Sequence, residues 1–398
     1  MSYVKTVWVD EQTPLNAKNL NHIEDGIEAV PVDASESRSS IVTKTVNIET
    51  DVDSHGNPID RTNRVYGAFS SAFGSRNAVA DTATEGGVFG GKNLLAGEDS
   101  LVAGYENEAY ESQSLVGGYN NTSYARESIV WGDGISISAG DSHSTMLRTS
   151  AIFGKAHSVA WGGRANLVAG DSHTIGETVR YSTVCGQGNT VGNNCSWINM
   201  FGGDDNQTGD YISDTTMLGY ANIANNPDAT YDPDHVLTIG DLYMVGHNNT
   251  ATRYKNAFIF GEANTAEYTP TAQSDYRKTK SHSYIVGHDN TTAQHNEVYM
   301  LGAGLSPSED DQVLLGKYNA NIEHCWLNVG CGEKKANGTI TRKSVFAACQ
   351  QGSDYWIMLG TTQLNKPSSG GTIATQEYVG GIVGDINAAL DAINGTVV

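Results

Sequence analysis

The residues best suited to bond-breaking chemistry are two adjacent carboxylate pairs, Asp204-Asp205 and Asp310-Asp311. One acid and one base or nucleophile on either side of a glycosidic bond would cleave it. Neighbouring residues on a strand point to opposite faces, so neither pair by itself presents both groups to one substrate. They read as solvated turn acids, and no catalytic residue is assigned. A second series is imidazole: His143, His157 and His173, with His247 and His288 each directly after a glycine. Such a row invites metal or anion binding, but His also serves as a turn residue that tolerates the left-handed region. That use is the expected one. His324, Cys325 and Cys331 fit no common zinc spacing. The segment 51–56 lacks the terminal bidentate Glu of a calcium loop. No metal and no cofactor is expected.

Composition excludes further classes. The 398 residues carry a net charge of −21, opposite in sign to what phosphate-backbone binding needs. No run of about 18 apolar residues exists to span a membrane. Residues 1–10 hold no apolar stretch of leader length, so Sec export is not expected. Five Cys without a CxxC pair read as free thiols in a reducing compartment. With 45 Gly and an apolar fraction of only 38%, the chain suits a narrow structure with frequent turns better than a thick layered core.

The elements that would position these groups repeat. From about 65 to 320 a few apolar residues are followed by Gly, two variable residues and Asn. Gly74/Asn77, Gly90/Asn93, Gly104/Asn107, Gly117/Asn120, Gly163/Asn166, Gly186/Asn189, Gly203/Asn206 and Gly219/Asn222 follow the pattern. So do Gly246/Asn249, Gly261/Asn264, Gly287/Asn290 and Gly316/Asn319. His takes the Asn place after Gly140, Gly154 and Gly170. Gly supplies the positive φ of a tight corner, and Asn is read as a second residue at home in the left-handed region. Each unit holds two short strands and two turns, which predicts stacked parallel coils, a β-roll or β-solenoid. About fifteen coils at strand spacing give a rod on the order of 70 Å long. Small residues such as Ala96, Ala103 and Ala169 are read as inward, so the core is thin and several chains are expected to associate, as a trimer.

Five regions are expected. Residues 1–30 form an attachment or trimerisation module, with a strand around Trp8 and an apolar stripe of Leu20, Ile23 and Ile27. Residues 31–65 are a linker with short strands, including 41–48. Residues 66–320 are the repeats, interrupted at 223–240 and 265–282 by loops whose Tyr231, Tyr268 and Tyr276 are candidate receptor contacts. Residues 321–365 form a small β domain with a hairpin at Asn337-Gly338, in which Trp326 and Trp356 are read as core. Residues 366–398 end in a helix whose Val379, Ile382, Ile386 and Ile393 suit a three-stranded bundle.

The repeat, typified by Ser-Leu-Val-Gly-Gly-Tyr-Asn-Asn at 114–121, resembles the head of trimeric autotransporter adhesins, the YadA-like β-roll. The stretch from Trp8 to Ile27 resembles an N-terminal module of bacteriophage tail, baseplate and fibre proteins. Ala374-Thr-Gln-Glu-Tyr-Val and the segment 385–395 are similar to phage tail-fibre sequence. These resemblances imply a mainly β trimeric rod with short helical ends, built into a virion after assembly in the host cytoplasm. The implied function is non-enzymatic: the N-terminus docks on other virion proteins and the distal region touches a host glycan or protein. A purely structural head or collar fibre is the alternative, and a polysaccharide-degrading spike the second.

Overall fold

The computed structural model describes residues 41–42, 63–140, 146–226, 240–268 and 280–364. The N-terminal module with Trp8, Leu20, Ile23 and Ile27 lies outside the described residues. So do Tyr231, Tyr276, His143 and the C-terminal segment with Val379, Ile382, Ile386 and Ile393. Among the described residues the regular structure is all β, with no helix.

The first unit ends at Gly188. Its long strands are Ser71–Ser75, Gly87–Gly91, Leu101–Tyr105, Leu115–Tyr119, Ile129–Asp133, Ala151–Lys155, Leu167–Asp171 and Thr183–Gln187. They pair in parallel with glycine opposite glycine, as in Gly90↔Gly104 and Gly104↔Gly118. Two-residue strands such as Ala78–Val79, Leu94–Leu95 and Glu108–Ala109 build a second parallel sheet. Ile41–Val42 pairs in parallel with the first long strand. The second unit begins at Asn189. Its long strands run from Ser196–Phe201 through Ser213–Tyr220, Leu242–His247, Tyr254–Glu262, Lys280–His288, Tyr299–Ala303 and Val313–Lys317 to Cys325–Cys331. Ser344–Gln351, Asp354–Leu359 and Thr362–Leu364 then add antiparallel strands. Glu333–Lys334 and Ile340–Thr341 form the hairpin around Gly338.

The chain is therefore a mainly β solenoid with two parallel sheets and a core one side chain deep. The inward residue stands two places before the corner glycine: Ala72, Val88, Val102, Val116, Val130, Ile152, Val168 and Val184, all fully buried. Val79, Leu95, Ile137 and Ile175 meet them from the short strands. This corrects the sequence reading of Ala103 and Ala169 as inward, because both stand one place before glycine and face out on the long sheet. The core is thin because it is one residue deep, and small side chains do enter it, at Ala72, Ala109, Ala224 and Ala251, alongside Val, Ile and Leu.

The corners are also built differently from the expectation. Gly74, Gly90, Gly104, Gly246 and Gly261 do adopt positive φ, between +108° and +129°. The second left-handed residue is not Asn but the one before it: Arg76, Lys92, Glu106, Asn120, Asn248 and Ala263, with φ of 54–60°. Asn77, Asn93, Asn107, Asn249 and Asn264 instead turn inward and are buried. Two pairs shift accordingly. The corner written as Gly117/Asn120 is Gly118/Asn121, and Gly163/Asn166 belongs to the opposite corner, where Asn166 precedes a long strand.

Each buried Asn bridges two coils. The Asn93 Oδ1 accepts the backbone N–H of Asn107 at 3.0 Å and its Nδ2 at 3.2 Å. Asn107 Nδ2 also donates to the carbonyls of Ala103 and Gly118. The ladder runs from Asn63 to Asn121 and stops at Ile135, whose N–H Asn121 accepts. In the second unit it runs from Asn189 through Asn206, Asn222, Asn249, Asn264 and Asn290 and ends on the N–H of Leu305. A buried amide whose donors and acceptor are all used carries no desolvation debt. The cysteines are a further correction: Cys325 and Cys349 are directly opposite across an antiparallel pair and are joined as a disulfide, while Cys185, Cys195 and Cys331 remain thiols. Burial pushes the Cys195 thiol up to about 11.

Candidate interaction surface

The residues proposed from sequence for chemistry do not gather into one site. Asp205 and Asp311 each occupy a left-handed corner position and are exposed, on opposite corners of the coil. Asp310 is held by the backbone and side chain of Asn296, at 3.0 and 2.9 Å, and lies 3.2 Å from His295. A hydrogen bond with Asp311, and then its nearby charge, raise the Glu297 carboxyl above its ordinary range. Among the described residues no three His, Cys, Asp or Glu side chains converge as a metal site. Tyr268 is half-buried, and its N–H donates to the Thr252 carbonyl at 3.0 Å.

The imidazoles have a structural place. His157 and His173 take the inward place that Asn holds elsewhere, their rings stacked at 5.0 Å and nearly parallel. His157 Nδ1 accepts the N–H of His173 at 3.2 Å, and each Nε2 lies about 3 Å from the carbonyl four residues earlier. Nδ1 thus replaces Asn Oδ1, and Nε2–H replaces the amide N–H. Burial lowers the pKa of His157 from its ordinary value, which keeps that tautomer neutral.

The surface that sets this molecule apart is the outward face of the long sheet. In the first unit its two rows read Phe73, Phe89, Ala103, Gly117, Trp131, Phe153 and Ser71, Gly87, Leu101, Leu115, Ile129, Ala151, Leu167. Phe89 is 44% exposed and Trp131 46%. Phe73 and Phe89 stack at 5.1 Å, and Trp131 lies over Gly117, where a Cβ would collide with its ring. In the second unit the rows are Tyr243, Phe258, Tyr284, Tyr299 and Val245, Phe260, Val286, Leu301. Tyr284 and Tyr299 stack at 5.1 Å. None of the residues in these rows is charged, in a chain of net charge −21. The outward row of the short sheet is more polar, with Arg64, Ala78, Leu94, Glu108, Thr122, Ser136, Ser158 and Thr174. Parallel sheets are ordinarily covered on both faces, and apolar surface this continuous marks an association site.

The two edges of that face differ. Where long strands begin, the surface is grooved. A groove of about 670 Å³ runs past Glu85, Asp99, Leu101, Gln113, Leu115 and Glu127. One of about 390 Å³ is lined by Asp241, Tyr243, Asn256, Phe258 and Tyr284. Another of about 340 Å³ lies beside Asp311, His324 and Trp326, so Trp326 is exposed rather than core, while Trp356 is buried. Where long strands end, exposed side chains project: Tyr105, Tyr119 and Asp133 in the first unit, His247, Glu262 and Lys317 in the second. The beginning edge also carries an arginine file that the sequence reading missed. Arg126, Arg148, Arg164 and Arg180 are backbone partners on successive coils. Their uneven spacing in sequence hides them until the coils are aligned. No family model and no curated protein matches this chain.

Proposed function

We propose that this chain is a non-enzymatic, homotrimeric fibre of a bacteriophage particle. Its N-terminal segment docks on other virion proteins, and its distal region contacts the surface of the host cell. One observation carries the reading: each unit presents an uncharged aromatic and aliphatic sheet face that a lone chain leaves in water. Covering a half-exposed Phe or Trp contributes roughly 1 kcal/mol, so the rows together supply a strong drive to associate. Three copies related by a threefold axis close such faces on one another and leave the polar short sheets outside. The exposed, separated positions of Asp204-Asp205 and Asp310-Asp311 support a binding role rather than glycoside cleavage. Repeated weak contacts from three copies give avidity to the host surface without a deep pocket.

The test is light scattering with size-exclusion chromatography on the full chain, followed by adsorption of labelled protein to host cells. A threefold mass and saturable adsorption are expected. A monomer at micromolar concentration would remove the reading. A trimer without adsorption would leave the head or collar fibre in its place.

A further inference from the structure

Besides its two broad sheets, the coil has a third side, which runs from each short strand to the next long one. In part of the first unit this side is itself a narrow parallel sheet. Ala125–Arg126 pairs with Leu147–Arg148, and bridges at Arg164 and Arg180 extend the pairing over two more coils. Ala125, Leu147 and Val179 are buried, and the arginine that follows each of them faces out. Arg126 and Arg148 are half-buried, whereas Arg164 and Arg180 are exposed. At about 4.8 Å per coil, the four residues form a file on the order of 14 Å long.

Charge on this third side is sorted into blocks. Residues 80–86, 96–100 and 110–114 hold Asp81, Glu85, Glu98, Asp99 and Glu111, with no Lys or Arg. On the next four coils the described residues of the same side hold the four arginines against two acids, Glu127 and Glu177. The Arg126 Nε lies 3.6 Å from a Glu127 carboxylate oxygen. The Arg164 guanidinium lies over the Tyr181 ring at 5.1 Å, a contact that steadies the fork without neutralising it. Like charges on neighbouring strands destabilise the sheet that carries them, and a merely solvated surface intersperses its signs. An anion that bridges the members of the file accounts for their being kept together.

Sister copies do not supply that anion. In a parallel fibre every copy carries its arginines at one height and its acids at another, so like block stands level with like block. We propose that the arginine file binds a linear acidic polysaccharide, one with a carboxylate on each sugar, laid along the stacking direction. A carboxylate accepts two parallel N–H groups from a guanidinium fork, and one charge per sugar ring is close to one per coil. Nucleic acid fits less well. It places a phosphate every ~3.4 Å along each strand, and a net charge of −21 repels the denser polymer more strongly. The inference rests on the fibre reading for its arrangement of copies. It goes beyond that reading by naming the class of host polymer and the residues that hold it.

Calorimetric titration of the full chain with polygalacturonate, at low and at physiological salt, tests the site. Wild type should bind polygalacturonate but not neutral dextran, and the binding should weaken as salt rises. Arg148→Gln, Arg164→Gln and Arg180→Gln together should lower the affinity at least about tenfold and flatten the salt dependence. Lys334→Gln, Lys335→Gln and Lys343→Gln remove three exposed cations in and beside the hairpin around Gly338. They change the net charge equally and should leave binding intact. Thermal melting checks that each variant folds. Should the arginine triple fail to fold, Arg180→Gln alone, at an exposed corner, is expected to weaken binding roughly threefold. A wild-type trimer that ignores polygalacturonate, or equal losses in the two triple variants, would overturn the site and leave the fibre standing. Tighter binding of a thymidine oligonucleotide at equal charge concentration would overturn the polysaccharide assignment. A wild-type monomer that binds polygalacturonate through these arginines would remove the trimer and keep the site.

Discussion

The two corners of each coil solve the same problem with unequal means. At the glycine corner a buried Asn receives the next coil's N–H and gives its own N–H groups to carbonyls on both sides, and His in its place gives a single N–H. At the opposite corner of the first unit the work falls mainly to serine: Ser100 Oγ accepts the Ser114 N–H at 2.9 Å, Ser128 accepts that of Ser150, and Ser150 that of Asn166. In the second unit that position is occupied by Ile198, Thr215, Leu242, Ala257, Ser283, Val298 and Gln312. The glycine corner is where two residues per turn take positive φ, so its carbonyls point inward and need donors. The other corner leaves fewer groups to satisfy and tolerates almost any buried side chain. A motif therefore persists at one corner and dissolves at the other.

Breaking the glycine corner should have the largest effect. Gly104 has φ +115°, and a Cβ there would strike the Gly118 carbonyl. Gly104→Ala should cost about 3 kcal/mol or more, read as a large drop in the urea midpoint or loss of soluble protein. Gly338→Ala shares positive φ but meets nothing within 4 Å, so it should cost only about 1 kcal/mol. Next comes the ladder. Asn107→Ala strands the N–H of Asn121 and the carbonyl of Gly118, and should cost about 2–3 kcal/mol. Ser100→Ala removes one acceptor and should cost about 1 kcal/mol, so the two corners separate in one denaturation series. Equal losses would erase the contrast between corners.

The smallest effect is one of pH. His157 is lowered in the folded protein, so between its folded pKa and the ordinary value near 6.5 the unfolded chain binds the proton and the folded chain does not. Stability from this site is present above about pH 6.5 and is lost as pH falls toward the folded pKa. Protonating Nδ1 would also turn the acceptor of the His173 N–H into a donor. His157→Asn should flatten the acid limb of a thermal melting profile without lowering stability at pH 7.5. An unchanged acid limb would place the sensitivity elsewhere, for instance at the Glu297–Asp311 pair.

Much of this was legible in the residues. Glycine recurring at coil spacing required stacked parallel strands, because only a repeated positive-φ corner returns the chain to the same register. The Asn signal was equally visible, but its meaning was not. An Asn next to a turn is compatible with a left-handed backbone or with an inward ladder, and only the neighbouring coil decides between them. The same holds for the inward parity that misassigned Ala103 and Ala169, and for Gly117 and Gly163, each adjacent to a corner it does not make.

The local pattern by itself determined where the chain turns, since φ preferences of Gly and short-range polarity act within a few residues. What touches across coils was decided by the tertiary structure. Insertions of unequal length separate Arg126 from Arg148 and Thr215 from Leu242 in sequence, yet backbone pairing sets each pair side by side on neighbouring coils. The apolar face likewise exists only once every coil aligns its outward residues. Stacking at about 4.8 Å turns scattered single residues into continuous rows, because hydrogen bonds between coils fix the register that chain distance does not.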